Sequence, residues 1–155
     1  MSKPRKKYRP KYTYAQQLQS GQDAIFTRSK EEIEPGTTRT ISLALIEAMD
    51  AMKTGEAQAE HFNLLSAAAN LAAVLCESGV GAEYIDVCKR ALHELKMTRE
   101  RYYKTGRFLF TGEAIRYVTE VIDVREAQLL AEGYTAGMDY CAAKMVQERL
   151  VKQDA

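Results

Sequence analysis

Apolar residues recur every three or four positions over most of this chain, the spacing that places them on one face of an α-helix. The pattern predicts helices over about 38–53, 56–77, 82–104 and 111–152. The first of these shows it most simply, in the stripe Ile41, Leu45, Ala48 and Met52. Glycines follow the first three segments, as expected where helices end.

The helix predicted over 56–77 has two apolar stripes side by side. One stripe comprises Phe62, Leu65, Ala69, Ala72 and Cys76, and the other comprises Leu64, Ala68, Leu71 and Leu75. Two stripes predict a central helix that is contacted on more than one side. Asn70 lies between them, where it either bonds a neighbouring backbone group or specifies the register between helices.

The last predicted helix is unusually long for a domain of this size. Thr111 is its candidate N-cap, and forty residues would span roughly 60 Å. Either the helix breaks at Gly133, or its end projects beyond the rest. Gly133 and Gly137 indicate a kink or close crossing within the chain, with a dimer contact as the alternative.

The fold class predicted is all-α. Strand-like alternation is missing, and no proline follows Pro35. Pro35-Gly36 is expected to end any helix that begins at Ser29. We therefore predict an antiparallel bundle of about four helices over 37–155, with a long C-terminal helix. Residues 1–36 are predicted to be a basic, largely irregular and extended arm with its connector.

Length and composition favour one domain without a membrane span. The chain has 155 residues and no apolar run of about 18 residues. Its first twenty residues lack the apolar stretch of a secretory signal, which predicts a cytoplasmic location. Three widely spaced cysteines favour reduced, buried thiols over a disulfide framework.

Charge is distributed very unevenly along the chain. The total is 22 Lys+Arg against 21 Asp+Glu, but the first twelve residues hold six of the cations and no anion, so the remainder is 16 against 21. Cations of this density can neutralise phosphates, and tyrosines between them can stack on unpaired bases. The candidate residues are Lys3, Arg5, Lys6, Lys7, Tyr8, Arg9, Lys11 and Tyr12.

The basic arm has other interpretations. It could bind an acidic protein partner, act as a solubilising tail, or fold onto the acidic body of its own or a neighbouring molecule.

A second basic surface is predicted at the end of the third helix. A basic helical face together with a basic arm is typical of nucleic-acid binders. A solvated face with ion pairs one turn apart is the alternative. The candidate residues are Lys96, Arg99, Arg101, Lys104 and Arg107, with Glu100 as the single acidic residue in that span.

Catalytic motifs are missing from the sequence, and we predict no enzyme activity, cofactor or metal. His61 and His93 each adjoin a glutamate, a spacing that does not place both groups on one helix face. Glu113, Glu120 and Asp123 share one side of the last helix. They form either a solvated face or an acidic ridge that binds a cation or the arm.

Several segments together resemble small proteins of proteobacterial phages and prophages. These segments are the K-K-Y-R-P-K opening at 6–11, the alanine-rich helix ending in Gly-x-Gly at 71–81, the F-T-G-E entry at 110–113 and the D-x-x-x-A-Q-L segment at 123–129. The resemblance implies a phage-encoded accessory protein. It supplies no catalytic residue.

These observations lead to three functional hypotheses. The first is a non-enzymatic phage or prophage accessory protein that contacts nucleic acid or a nucleoprotein complex through the arm and the basic helix surface. The second is a protein-directed inhibitor or adaptor that blocks an acidic host regulator or defence enzyme. The third is a structural or assembly protein that associates with itself as a homo-oligomer.

Overall fold

The computed structural model describes residues 33–153, with the side chains of 151–153 excepted. Five α-helices fill this part of the chain, and a single 3-10 turn, Ala82–Tyr84, precedes the third. The helices are α1 (Pro35–Thr54), α2 (Ala59–Glu77), α3 (Ile85–Thr105), α4 (Gly112–Leu129) and α5 (Ala136–Gln153).

The all-α prediction is confirmed over residues 33–153. No strand is assigned among these residues, and an isolated bridge joins Ala57 to Phe108. None of the helices described there has the length and apolarity needed to cross a membrane. The predicted arm lies outside the described residues.

Helix α2 is the centre of the bundle and contacts each of the other four helices. Ala69 and Ala72 are fully buried on it, and their small side chains let neighbouring helices approach closely. The two-stripe pattern therefore predicted the position of this helix correctly. Asn70 donates to the backbone oxygen of Ser66, 2.9 Å away and one turn earlier, which is the simpler of its two interpretations.

The single long last helix was wrong, and the alternative of a break at Gly133 is confirmed. Helix α4 ends at Leu129 and α5 starts at Ala136. Gly133 lies in the turn between them with φ of 78°, a left-handed conformation that favours glycine. After this turn, Tyr134, Ala142 and Val146 form a small core with residues of α2 and α4. Residues 33–153 thus form five helices instead of about four, and the last of them has 18 residues.

Helix α1 begins at Pro35, three residues before the start predicted at about residue 38. The predicted end of a helix from Ser29 stays a prediction, because residues 29–32 lie outside the described part of the chain. Glu34 is the N-cap in extended conformation, and Pro35 occupies the first helical position. Proline suits this position, since its missing N–H would have no partner inside the helix in any case.

The connector between α3 and α4 packs into the core through two phenylalanines, Phe108 and Phe110. Phe108 stacks on Tyr102, with ring centroids 3.9 Å apart, and on Phe62 at 5.0 Å. Phe110 is buried, and its amide donates to the backbone oxygen of Met52 at 3.0 Å. These contacts fix the end of α3 against α1 and α2.

Cys76 and Cys88 are buried as predicted, with their sulfurs 3.8 Å apart. Cys141 is exposed on α5, so the prediction was wrong for that residue. Helix α5 packs on the core through Ala142 and Val146, which leaves Cys141 at the solvent.

Candidate nucleic-acid interface

Helix α3 presents one buried and one solvent-facing side. Cys88, Ala91, Leu95 and Thr98 are buried on it at helical spacing. The Thr98 hydroxyl donates to the backbone oxygen of Glu94 at 2.8 Å, which satisfies this polar group inside the core. Gly106 ends the helix with φ of 70°. The opposite side of α3 is left to solvent.

Basic residues of the described chain are concentrated on α3. Residues 85–107 contain seven cations against three carboxylates, a formal charge of +4. The rest of 33–150 contains six cations against fourteen carboxylates, a formal charge of −8. The seven cations are Lys89, Arg90, Lys96, Arg99, Arg101, Lys104 and Arg107. The body is therefore acidic, and one of its helices is basic.

Four of the five cations predicted in this region are exposed. Lys96, Arg99 and Lys104 extend to solvent from α3. From Lys96 to Lys104 the helix rises by about 12 Å. Arg101 is half-buried, and its Nη2 donates to the Thr98 hydroxyl at 3.0 Å. We call the exposed set, Lys96, Arg99, Tyr103 and Lys104, the α3 basic surface.

Arg107 is exposed but lies beyond the end of α3 and has a structural contact as well. Its Nε donates to the backbone oxygen of Gly55 at 3.3 Å, across the turn that follows α1. A Cβ on Gly55 would lie 2.7 Å from the Arg107 guanidinium, so any other residue there would require this side chain to move. The sequence pattern could not reveal this contact, because it joins residues that are 52 positions apart.

An aromatic ring stands among these cations. Tyr103 is 77% exposed, the most exposed of the large hydrophobic residues described. It shares a side of α3 with Lys96 and Arg99 through spacings of seven and four residues. A tyrosine held out between cations can stack on a planar group that carries negative charge nearby.

Sequence reasoning missed two further cations of α3. Lys89 and Arg90 are exposed in its first half. Arg90 lies eleven residues before Arg101, which is three helical turns, so both are on the same side of α3. This spacing could have been found in the sequence. The contact of Arg90 with Tyr117 of α4, 2.8 Å from Nη1 to the hydroxyl, depends on packing and could not.

The arm residues lie outside the described part of the chain. The structure therefore places none of Lys3, Arg5, Lys6, Lys7, Tyr8, Arg9, Lys11 and Tyr12.

The residues considered for metal or acid–base chemistry are separated in space or have structural partners. Nδ1 of His61 accepts a hydrogen bond from the backbone N–H of Gln58 at 2.9 Å, as part of the N-terminal cap of α2. Glu120 lies 3.5 Å from Arg116 in an ion pair one turn apart. Within residues 33–150 no three His, Cys, Asp or Glu side chains are grouped so that they could hold a metal ion.

The buried thiols are poor nucleophiles. Burial, reinforced by its neighbour Cys76, raises the pKa of Cys88 to about 12. Burial likewise raises the pKa of Cys76 above its ordinary value. Because the thiolate is the reactive form, both groups are unreactive at neutral pH.

The charge and exposure of α3 are the features of this chain that bear most directly on what it binds. No protein-family model, curated protein or solved structure matches the chain.

Proposed function

We propose that this chain is a non-enzymatic binding protein that contacts nucleic acid, alone or within a nucleoprotein complex, through the α3 basic surface and the arm at 1–12. The observation that carries the proposal is the separation of charge, +4 over residues 85–107 and −8 over the rest of 33–150. The opening at 6–11 and the other segments that resemble phage and prophage proteins support an accessory role in that setting.

The separation of charge favours a polyanion on one side of the molecule. Each phosphate that a lysine or arginine neutralises releases condensed counterions, which drives association. The acidic remainder of the body repels the same phosphates. Together the two effects orient the body with α3 towards the backbone.

Binding of a labelled oligonucleotide over a salt series tests the proposal. The full chain is compared with a Lys96→Gln/Arg99→Gln/Lys104→Gln variant and with a chain that lacks residues 1–12. A control variant, Arg39→Gln/Lys53→Gln/Lys144→Gln, removes three exposed cations outside α3. We expect salt-dependent binding that weakens much more in the first two chains than in the control. Binding that does not depend on salt, or is equal in all four chains, contradicts the proposal.

A protein partner is the second candidate. Met97 and Tyr103 are exposed among the α3 cations, and Met, Tyr and Arg are enriched in protein interfaces. An inhibitor or adaptor would use the same surface against an acidic host protein. Affinity purification from host lysate with and without nuclease separates the two candidates. A partner that is retained after nuclease treatment favours the protein-directed function.

Self-association is favoured by a different surface. Met138, Cys141 and Met145 are exposed along one side of α5, at spacings of three and four residues. Such a stripe could join two copies of the chain. Sedimentation of the full chain over a concentration range tests this role, and a strict monomer at high concentration excludes it.

A further inference from the structure

A groove between α3 and α4 holds two arginines against one tyrosine. The guanidinium carbons of Arg90 and Arg116 lie 5.5 and 5.4 Å from the centroid of the Tyr117 ring. Arg90 also donates to the Tyr117 hydroxyl at 2.8 Å. The groove has a volume of about 540 Å³ and is open to solvent. Tyr117 thus keeps two cations from different helices in one place.

Cations outnumber carboxylates in this groove. Lys89, Arg90 and Arg116 line it together with Asp86 and Glu120. The ion pair between Arg116 and Glu120 joins two well-exposed side chains, and pairs of this kind are weak. Each guanidinium has five N–H donors in a planar fork, a geometry that can bind the oxygens of a phosphate in pairs.

The groove lies on the flank of α3 that also carries Arg101 and, one residue line away, Lys104 of the α3 basic surface. Arg90 and Arg101 lie on the same side of the helix, about 16 Å apart along its axis. Lys104 follows Arg101 by three residues on a neighbouring line. A chain of phosphates that runs along α3 from Lys104 would therefore reach Arg90 and the groove beside it.

We propose that the groove is a phosphate subsite in which Arg90 of α3 and Arg116 of α4, both packed on Tyr117, hold one backbone phosphate of the nucleic acid bound along α3. The subsite rests on the proposed function and adds α4 to the interface. Tyr117 is a positioning residue, because its ring and hydroxyl restrict the two side chains before the phosphate arrives.

Oligonucleotide binding by the full chain tests the subsite. An Arg90→Gln/Arg116→Gln variant is compared with the control Arg39→Gln/Lys144→Gln, which also removes two exposed cations. Removing one phosphate contact should lower the slope of log K against log salt by about 0.7–0.9. We expect about a tenfold loss of affinity in the groove variant and less than about threefold in the control. Equal losses in the two variants overturn the subsite and leave the proposed function intact.

A gain of binding is the complementary test. Glu120→Gln removes the carboxylate that competes for Arg116, so oligonucleotide affinity should rise by about 1.5- to twofold. Glu83→Gln removes an exposed carboxylate outside the groove and serves as its control. A Glu120→Gln variant that binds no better than the Glu83→Gln chain overturns the role of Arg116.

Inorganic phosphate separates failure of the subsite from failure of the proposed function. Amide NMR shifts over 86–90 and 116–120 should move when phosphate is added to the full chain, and should not move in the groove variant. If phosphate moves these amide signals but no oligonucleotide binds, the groove is a phosphate site whose ligand is not a nucleic acid. Absence of both overturns the subsite altogether.

Discussion

Arg125 is 3% exposed, although it carries a full charge. Its Nη2 donates a hydrogen bond to Asp139, and the same carboxylate oxygen accepts a hydrogen bond from the Tyr134 hydroxyl. Nη1 of Arg125 has no hydrogen-bond partner among residues 33–150. This pair joins α4 to α5 across the turn at Gly133. A buried arginine is destabilising unless a carboxylate compensates its charge.

Removal of that carboxylate should be costly. Asp139→Ala leaves Arg125 buried without its counter-charge, and we expect the free energy of unfolding to fall by about 3–5 kcal/mol. Glu77→Gln breaks the exposed pair with Arg149 and should cost less than about 1 kcal/mol. Urea unfolding measures both variants. Similar losses in the two would mean that the buried pair adds nothing special to stability.

Alkaline pH should destabilise the fold through buried acids that stay protonated. Burial raises the pKa of Cys88 from 9.0 to about 12, and it also raises the pKa values of Cys76 and Tyr134. Above pH 9 the unfolded chain loses a proton that the folded chain keeps, so the free energy of unfolding falls as pH rises.

For Cys88 the loss accumulates between pH 9 and 12, at up to about 1.4 kcal/mol per pH unit. Unfolding of the reduced protein at several pH values measures this slope. Cys88→Ala should be less stable at neutral pH but should show a shallower decline. A wild-type stability that does not fall above pH 9 would contradict the burial of these groups.

Tyr103 is 77% exposed, and its ring meets only one edge of Tyr102, with the centroids 6.0 Å apart. If it stacks on unpaired bases, Tyr103→Ala should weaken binding of a single strand by about 1–3 kcal/mol and affect a duplex of the same sequence less. Tyr84→Ala removes another exposed tyrosine away from the basic surface and is the matched control. An equal effect on single strand and duplex would show that Tyr103 does not contact bases.

At the scale of elements, the turns decide how the helices lie against one another. Gly133 lets α5 fold back onto the core, and Gly55 lets α1 end beneath Arg107. Both glycines have positive φ, which costs other residues about 1–2 kcal/mol.

Gly55→Ala should therefore lower stability by at least about 1–2 kcal/mol. Its Cβ would also displace the Arg107 guanidinium, which lies 2.7 Å from that position. In Gly36→Ala the added Cβ meets nothing within 4 Å, in the first turn of α1, so that variant should be unchanged or more stable by up to about 1 kcal/mol. Thermal unfolding compares the two. A Gly55→Ala protein as stable as wild type would exclude the close contact.

The parts of this fold that depend on local sequence patterns could be predicted, and the parts that depend on contacts between distant residues could not. The two stripes of α2 are local patterns, and they indicated the helix and most of its buried residues correctly, although Leu64 is exposed. Pro35 can either stop or start a helix, and the choice depends on tertiary contacts. Ile33 and Ile41 pack on the small core that α5 completes, and this favours a helix that starts early. That core exists only because the chain turns at Gly133.

The candidate site also has a part that the sequence predicts and a part that depends on packing between helices. Lys96, Arg99 and Lys104 could be found as a cluster in the sequence, because one helix carries all of them. Arg116 and Tyr117 come from α4 and meet Arg90 only through packing between helices. The sequence pattern contains no trace of that contact.

At the scale of the whole molecule, the net charge of +1 conceals the arrangement of charges. Seven of the thirteen cations within residues 33–150 lie in the segment 85–107, while the rest of that range is strongly acidic. Positive and negative charge are therefore separated within the body itself. The +6 charge of the arm adds to the positive charge of α3. A surface with this sign and exposure suits a polyanionic partner more than a neutral one.

The decisive measurement is the salt dependence of oligonucleotide binding. For the full chain, log K should fall linearly with log salt. In the Lys96→Gln/Arg99→Gln/Lys104→Gln variant the slope should be smaller by about 2 to 3, since removing one phosphate-binding cation lowers it by about one. The Arg39→Gln/Lys53→Gln/Lys144→Gln control should keep the wild-type slope. An unchanged slope in the α3 variant, or the same decrease in the control, would contradict the assignment of α3 as the nucleic-acid surface.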